Sequence, residues 1–374
     1  MNNRPVYLAA GGTGGHIFPA LAVAETLQNR GYSTHLFTDR RGAKLLSEAS
    51  SLPARLHIIA AASPFQHGMT KCIFAFAKLA AGSAASMYHL LVRRPALIIG
   101  FGGYPSFAPL MIGRLLGIPI LLHEQNAFLG RANQMLAKFS NALALSWPRT
   151  KNLPEMCHVE VTGIPVRQAF FDAAKTPYCL AATAPVNLAV LGGSQGASIL
   201  ASLVPDAIAM LDPAMRRRLH LHQQARPEQI ELLRHRYGDL GVTADVRSFY
   251  TDMPSLLGQS HLVICRAGAS TLAELAAIGR PSLLLPLQNA MDDHQRMNAL
   301  QMQDVGGGIC LDETTLSAAV LSARLIQLLK TPRSLSKMAK SAQSLASPNA
   351  ANLIVAIAEN LMGVIPSKHG GAAA

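Results

Sequence analysis

Residues 10–25 read AGGTGGHIFPALAVAE. The apolar run VYLAA (6–10) leads into them, glycines crowd positions 11–15, and an apolar helical run succeeds the histidine. A strand, a glycine turn and a helix in that order form the opening unit of a parallel α/β sheet. Such a turn lets backbone N–H groups approach an anion, and the helix N-terminus favours negative charge. The same order returns at VNLAVL (186–191) and GGSQGAS. Gly11 and Gly192 stand 181 positions apart in a chain of 374, close to half its length. Between them lie STHLFT (33–38), ALIIGF (96–101) before GGYPSFAP, and IPILLHE (118–124) before QNAFLGRAN. Beyond the second turn come HLVICR (261–266) before AGASTLAELAAIG, and PSLLLP (281–286) before LQNAMDDHQ. The expectation is an α/β protein of two Rossmann-like, doubly wound parallel-sheet domains facing a cleft. Residues 1–165 would form the first and 166–345 the second, with the linker inside 163–185. Residues 346–374 would supply a helix, ANLIVAIAENLM (351–362), that packs back on the first domain, and then a disordered tail.

Charge is unevenly spread. Residues 1–165 hold 15 Lys/Arg against 6 Asp/Glu, net +9, and residues 166–374 hold 18 against 15, net +3. No acidic residue stands between Glu48 and Glu124, whereas Arg55, Lys71, Lys78, Arg93, Arg94 and Arg114 do. The same stretch contains CIFAFAKLAAGSAASMYHLLV (72–92). A basic, apolar-rich surface suits an anionic membrane. The run is long enough to span a bilayer, but Lys78 and His89 interrupt it. A half-buried helix, a peripheral membrane patch and a true span are all open at this point. Nucleic acid is not the expected partner: no RNP, helix-turn-helix or zinc-finger pattern is present. Cys72, Cys157, Cys179, Cys265 and Cys310 are scattered without CxxC spacing, which fits a reducing compartment and no zinc knuckle. No signal-peptide pattern opens the chain.

In open parallel sheets ligands bind beyond the carboxyl ends of the strands, where each glycine turn falls. A dinucleotide fingerprint from Gly12 would need glycine at position 17, which is Ile17, although Asp39 could mimic its ribose-binding acid. No GK[ST] succeeds any turn, so a Walker A loop is absent. His16 falls at a helix N-terminus, which depresses an imidazolium pKa and favours a neutral, proton-accepting ring. The competing reading is a histidine that bonds its own turn. Thr271 and Glu274 fit the capping-box spacing T-x-x-E, and Glu274 could instead accept hydrogen bonds from a sugar diol. Asp292, Asp293, His294 and Gln295 cluster without completing an octahedral oxygen set, and Asp292 or Asp293 could be a helix cap. HEQN (123–126) puts four polar residues at a strand end, which is costly unless they face solvent or a ligand. Arg167 would bring a fixed positive charge to the linker, where a phosphate could be held.

Together GGTGGHIFPALAVAE, GGYPSFAP, HEQN, GIPVR, GGSQGA, CRAGASTLAELAAIGRP and DDHQRMNA resemble the MurG family, the bacterial N-acetylglucosaminyltransferases of peptidoglycan synthesis. These segments occur in order from residue 11 to 299. The resemblance implies a GT-B fold and transfer of GlcNAc from UDP-GlcNAc to lipid I (undecaprenyl-pyrophosphoryl-MurNAc-pentapeptide). Lipid II would form at the cytoplasmic face of the inner membrane, by a peripheral enzyme, with no cofactor or metal assigned. Matching the family's motifs onto this chain assigns substrate binding to Thr13, Gly14, Gly15, Asn126, Arg167, Ser194 and Tyr250. It adds the run Ala269, Ser270, Thr271, Leu272, Ala273 and Glu274, and then Gln295. In that carry-over the backbone of Tyr250 contacts uracil and Glu274 binds the ribose hydroxyls. Ser194 and the 269–272 turn hold diphosphate, and Gln295 meets the sugar. Ile164 departs from the family's GNPVR, where asparagine is usual.

The implied chemistry is one in-line displacement with inversion at the anomeric carbon. The acceptor 4-hydroxyl attacks, UDP leaves, and a general base takes the hydroxyl proton. His16 is the first choice for that base and Glu124 the second. The leaving diphosphate would be stabilised by helix N-termini and Arg167. Two rivals are a UDP-GlcNAc epimerase on the same fold, which needs no lipid, and a nicotinamide-dependent oxidoreductase resting on GGTGG and Asp39.

Overall fold

The centre of the first sheet is made by strands that are buried throughout and mostly apolar. The computed structural model describes residues 4–47, 52–62, 69–155, 158–192, 198–288 and 293–364. The chain divides into two compact units, Met1–Arg167 with Ser347–Ala374, and Gln168–Ala346. In unit 1 the strands are β1 (Val6–Ala9), β2 (Thr34–Thr38), β3 (Arg55–Ile58), β4 (Leu97–Gly100), β5 (Ile120–Glu124), β6 (Ala142–Leu145) and β7 (Val159–Val161). Among the described residues they form one parallel sheet in the order β3-β2-β1-β4-β5-β6-β7. Val6 stands opposite Thr34 on one side and Leu97 on the other. Every residue of β1, β4 and β5 is buried, as expected of parallel strands covered by helices on both faces. The winding reverses between β1 and β4, which is the switch point near which open α/β sheets bind ligands.

Unit 2 repeats the plan. Its strands are β8 (Val186–Leu191), β9 (Leu219–Gln224), β10 (Thr243–Arg247), β11 (Leu262–Cys265), β12 (Ser282–Leu284) and β13 (Gly308–Cys310). They lie parallel in the order β10-β9-β8-β11-β12-β13, with Leu188 opposite both Leu221 and Leu262. The reversal here falls between β8 and β11. The first glycine turn therefore leaves the first strand of unit 1 at a switch point; residues 193–197 of the second turn lie outside the described residues. This is the two-domain parallel α/β architecture of a GT-B fold.

Three helices of unit 1 border its glycine turns or its sheet edge. Helix α1 (Gly14–Asn29) begins at the first glycine turn. Its Ile17, Val23 and Leu27 share a core with Ile354, Val355 and Ala358 of the C-terminal helix Ala350–Leu361. Glu359 of that helix accepts from Arg30 Nη1 at 2.7 Å and from the Tyr32 hydroxyl at 3.2 Å. The tail expected to be disordered lies outside the described residues from 365 onward. Helix α2 (Arg40–Leu46) is capped by Asp39, whose Oδ1 accepts from the Gly42 N–H at 2.9 Å. Helix α3 (Met69–Val92) carries the apolar run that could be a half-buried helix, a membrane patch or a span. No helix among the described residues is long and apolar enough to cross a membrane, so the span reading is set aside. Ala75, Gly82, Ser86 and Leu90 form its buried stripe. A Cβ on Gly82 would come within 2.2 Å of the Ala60 carbonyl, so glycine is required for this approach. Phe74, Phe76, Tyr88, Leu91 and Val92 are all at least 60% exposed.

Candidate functional site

In unit 1 the turn after β1 presses against the turn after β4. The Gly11 N–H donates to the Gly102 carbonyl at 2.9 Å, and a Cβ on Gly11 would lie 2.9 Å from Gly103 Cα. Gly102 and Gly103 have φ of +85° and +77°, a region that side-chain-bearing residues rarely adopt. The ring of His16 lies beside both turns: a Cβ on Gly11, Gly102 or Gly103 would stand 3.1–3.3 Å from its carbons. Thr13 caps α1 in an extended conformation without a side-chain bond to the helix, and the first-turn N–H groups of any helix lack intrahelical partners. Gly14 is kept bare by the Phe18 ring, 2.8 Å from where its Cβ would be. Gly15 differs, since its Cβ would meet only Thr13 Oγ1 at 3.9 Å. Packing does not demand glycine there. Arg167 stacks its guanidinium 4.9 Å over the Phe18 ring, which holds a fixed positive charge close to the start of α1. Gly15→Ala is therefore expected to leave the melting temperature unchanged or slightly raised. The same variant should raise the substrate KM by about 10-fold by filling the approach to the first-turn amides, roughly the 1.4 kcal/mol of one obstructed contact. Thermal unfolding measured alongside steady-state kinetics would reveal this split.

The HEQN run is satisfied internally and not by solvent, contrary to the expectation from its polarity. His123, Glu124 and Gln125 are 0–2% exposed. Glu124 Oε1 accepts from the backbone N–H and the Nδ2 of Asn126, both at 3.0 Å. Its Oε2 accepts from the Gly130 N–H and from Asn133 Nδ2, both at 2.9 Å. Four donors occupy this carboxylate, which makes it the organiser of the 125–133 loop and removes it as second choice for the base. Gln125 Nε2 donates to the Phe101 carbonyl at 2.9 Å and lies 3.1 Å from His123 Nδ1. Its Oε1 stands 3.2 Å from His16 Nδ1. His123 Nε2 faces the Gly163 carbonyl at 3.0 Å, tying the GIPVR segment to this network. Burial pushes the His123 imidazolium pKa down to about 4. The His16 ring also reaches beyond its own turn, to a residue 109 positions away.

In unit 2 the turn after β11 begins the helix Ala269–Ile278, whose N-cap is Gly268. The capping box expected from Thr271 and Glu274 is absent, since the helix starts three residues earlier and Thr271 lies inside its first turn. Glu274 therefore has no capping role, and its charge helps burial raise the Cys265 thiol pKa to about 12. The Leu272 N–H donates to the Gly268 carbonyl at 3.0 Å and its side chain is in the core. Of the expected diphosphate turn, the amides of Ala269, Ser270 and Thr271 remain suited to an anion; Ala273 comes next within the helix. Arg266 donates to Glu313 at 2.6 Å and to the Leu285 carbonyl at 3.1 Å, which ties the loop after β11 to those after β13 and β12. Gln295 is the second residue of the helix His294–Asp304, and its Oε1 accepts from the Leu287 N–H at 2.9 Å. The Tyr250 hydroxyl donates to the Asp245 carbonyl at 2.7 Å, so this buried ring is anchored away from a ligand while its backbone sits in the loop after β10. Ser194 and Asp292 lie outside the described residues.

Asp39, the support of the nicotinamide reading, is spent elsewhere. Its carboxylate caps α2, pairs with Arg41 Nε at 3.2 Å, and stands where a Cβ on Gly12 would be. Sequence reasoning missed Phe18, Gln125 and Asn133. Each is defined by a tertiary contact, Phe18 with Arg167, Asn133 with Glu124 and Gln125 with His16, and only the polarity of HEQN signalled one of them.

Residues 6–145 match the glycosyltransferase family 28 N-terminal domain, and residues 187–354 match the C-terminal domain of the same family. A Sinorhizobium fredii protein is 40% identical over 365 residues, 96% of each chain. It is named UDP-N-acetylglucosamine–N-acetylmuramyl-(pentapeptide) pyrophosphoryl-undecaprenol N-acetylglucosamine transferase. The crystal structure of Acinetobacter baumannii MurG is 30% identical and superposes with a TM-score of 0.73, covering 95% of this chain and 99% of that one. A putative UDP-N-acetylglucosamine 2-epimerase from Listeria monocytogenes superposes at 0.66 over the full length of both chains with 14% identity. That likeness is one of fold alone.

Proposed function

The chain belongs to the MurG family within glycosyltransferase family 28, and from that premise we infer that it transfers GlcNAc from UDP-GlcNAc to lipid I in peptidoglycan synthesis. The observation that carries the chemistry is the His16 ring, set between the glycine turns of β1 and β4 and bonded to the buried HEQN network. The acceptor 4-hydroxyl attacks the anomeric carbon of GlcNAc as the bond from that carbon to the diphosphate oxygen breaks. The hydroxyl proton passes to His16, and UDP departs with the electron pair. One displacement inverts the anomeric centre.

The donor falls to unit 2. The Ala269, Ser270 and Thr271 amides at the helix N-terminus take the diphosphate charge. Glu274 accepts from the ribose hydroxyls, the Tyr250 backbone meets uracil, and Gln295, anchored through Oε1, offers its amide N–H to the sugar. In unit 1, Thr13, Gly14, Gly15, Asn126 and Arg167 contribute to substrate binding, Arg167 through its positive charge. Transfer of labelled GlcNAc from UDP-GlcNAc to a lipid I analogue tests this reading. Lipid-bound label with UDP release is the expected result; a lipid-independent change of the UDP-sugar would favour the epimerase.

The acceptor is a membrane lipid, and we assign the peripheral docking face to α3. Its exposed Phe74, Phe76, Leu91 and Val92 are accompanied by the exposed cations Arg93 and Arg94, with Lys78 on the same helix. Apolar insertion and attraction to anionic headgroups reinforce each other on such a face. Vesicles containing phosphatidylglycerol are expected to co-sediment with the protein. The double variant Phe74→Asp, Phe76→Asp should lose most of that binding, about 1.5–3 kcal/mol per aromatic ring no longer inserted. Unchanged sedimentation would move the docking face elsewhere.

A further inference from the structure

The buried network beside His16 has a direction. His123 Nε2 lies 3.0 Å from the Gly163 carbonyl, which can only accept, so Nε2 carries the proton and Nδ1 the lone pair. Gln125 Nε2 then has two acceptors before it, His123 Nδ1 at 3.1 Å and the Phe101 carbonyl at 2.9 Å. Both amide protons are used there, which orients the carboxamide and turns Oε1 toward His16. Oε1 can only accept. His16 Nδ1, 3.2 Å away, must therefore be the protonated nitrogen. With the other tautomer two lone pairs would face one another beside the buried Gln125 side chain, at the cost of an unpaired acceptor.

We propose that Gln125, oriented by His123 and the Phe101 carbonyl, is a positioning residue that fixes His16 as its Nδ1–H tautomer and thereby makes Nε2 the atom that receives the acceptor's proton. The catalytic consequence rests on the reading of His16 as the base; the tautomer itself does not. A proton gained at Nε2 creates an imidazolium whose Nδ1–H bond to Oε1 becomes charge-assisted and stronger, so the same amide that selects the tautomer also steadies the ring once charged. The carbonyl of Gly163, in the segment that ends at Arg167, is the far terminus of the relay.

The experiment is nitrogen–proton correlation spectroscopy of the full-length protein with labelled histidine at mildly alkaline pH. The His16 signals are identified by their loss in His16→Gln. The expected spectrum has His16 protonated at Nδ1 and unprotonated at Nε2. In Gln125→Met, which keeps the length of the side chain and removes its polar atoms, the proton should shift to or exchange with Nε2. The kcat should fall by about 10-fold or more, a part of the acid–base contribution, with the KM for UDP-GlcNAc within about twofold of wild type. A wild-type His16 protonated at Nε2 overturns the proposal, and this result needs no folded Gln125 variant. An unchanged tautomer and kcat in Gln125→Met also overturns it. Full turnover of His16→Gln with Nδ1–H seen in the wild type would instead remove the base while upholding Gln125 as the group that places the proton.

Discussion

His16→Ala is expected to lower kcat by about 10²–10⁴-fold, the usual contribution of a positioned acid or base. This corresponds to roughly 2.7–5.5 kcal/mol of transition-state stabilisation. Affinity for UDP should stay within about twofold, because the residues proposed to hold UDP belong to unit 2 whereas His16 belongs to unit 1. A loss confined to kcat identifies an interaction made in the transition state. Equal losses in UDP binding and turnover would make His16 a donor ligand, and unchanged turnover would dismiss it as the base. Glu124 supplies the contrast. Its four hydrogen bonds hold the 125–133 loop, so Glu124→Gln, which replaces one acceptor by a donor facing donors, acts through the loop's order and not through proton removal.

Acid is expected to unfold unit 1 well before its carboxylates are neutralised. His35 and His57 share a hydrogen bond of 2.8 Å, and His57 packs on His89 of α3 with ring centroids 4.2 Å apart. Burial, reinforced by the cations Arg93 and Arg55, pushes the His35 pKa down to about 4. Burial and the neighbouring His89 bring His57 to about 4 as well, and His123 reaches the same value inside the HEQN network. In the unfolded chain each titrates near 6.5. Below that pH the unfolded state binds protons that the folded state refuses until about 4. Stability is therefore complete above pH 6.5 and falls as the pH drops toward 4, most through the fully buried His123 and less through His35 and His57, which water screens more. Urea midpoints recorded between pH 7.5 and 4.5 should decline steeply (the window is set by those pKa values). His57→Asn should flatten the decline by removing one titrating group and the pairing that buries His35. A midpoint independent of pH in the wild type would show that the three rings ionise without unfolding.

How much of the fold is legible in the sequence depends on how each element is buried. β1, β4 and β11 are apolar throughout, and β5, β8 and β12 mostly so, because both faces of a central parallel strand are covered; all six are readable from their apolar runs. β9 (LHLHQQ), β10 (TADVR) and β3 (RLHI) are mixed in polarity. β3 and β10 are sheet edges, where one side needs no apolar cover, and these strands are not distinguishable from loops by periodicity. The start of the 269–278 helix is masked in the sequence because T-x-x-E mimics a cap, whereas Gly268 already holds the N-cap position. At the site, glycine turns and motif order point to the right loops. Polarity alone does not tell that HEQN closes on itself, because its partners are Phe101, Gly130, Asn133, Gly163 and, 109 positions away, His16. Polarity in one dimension does not reveal satisfaction in three.

The central claim, a single displacement onto a lipid-borne sugar with His16 taking the proton, is tested most directly by the stereochemistry of the product. UDP-GlcNAc labelled at its anomeric carbon, incubated with a lipid I analogue, is expected to give a β-linked GlcNAc on the muramyl 4-hydroxyl and free UDP, seen by carbon NMR of the isolated lipid. An α-linked product would require a second displacement and a nucleophile that this site does not assign. Labelled sugar remaining on UDP, epimerised and absent from the lipid, would contradict the claim altogether.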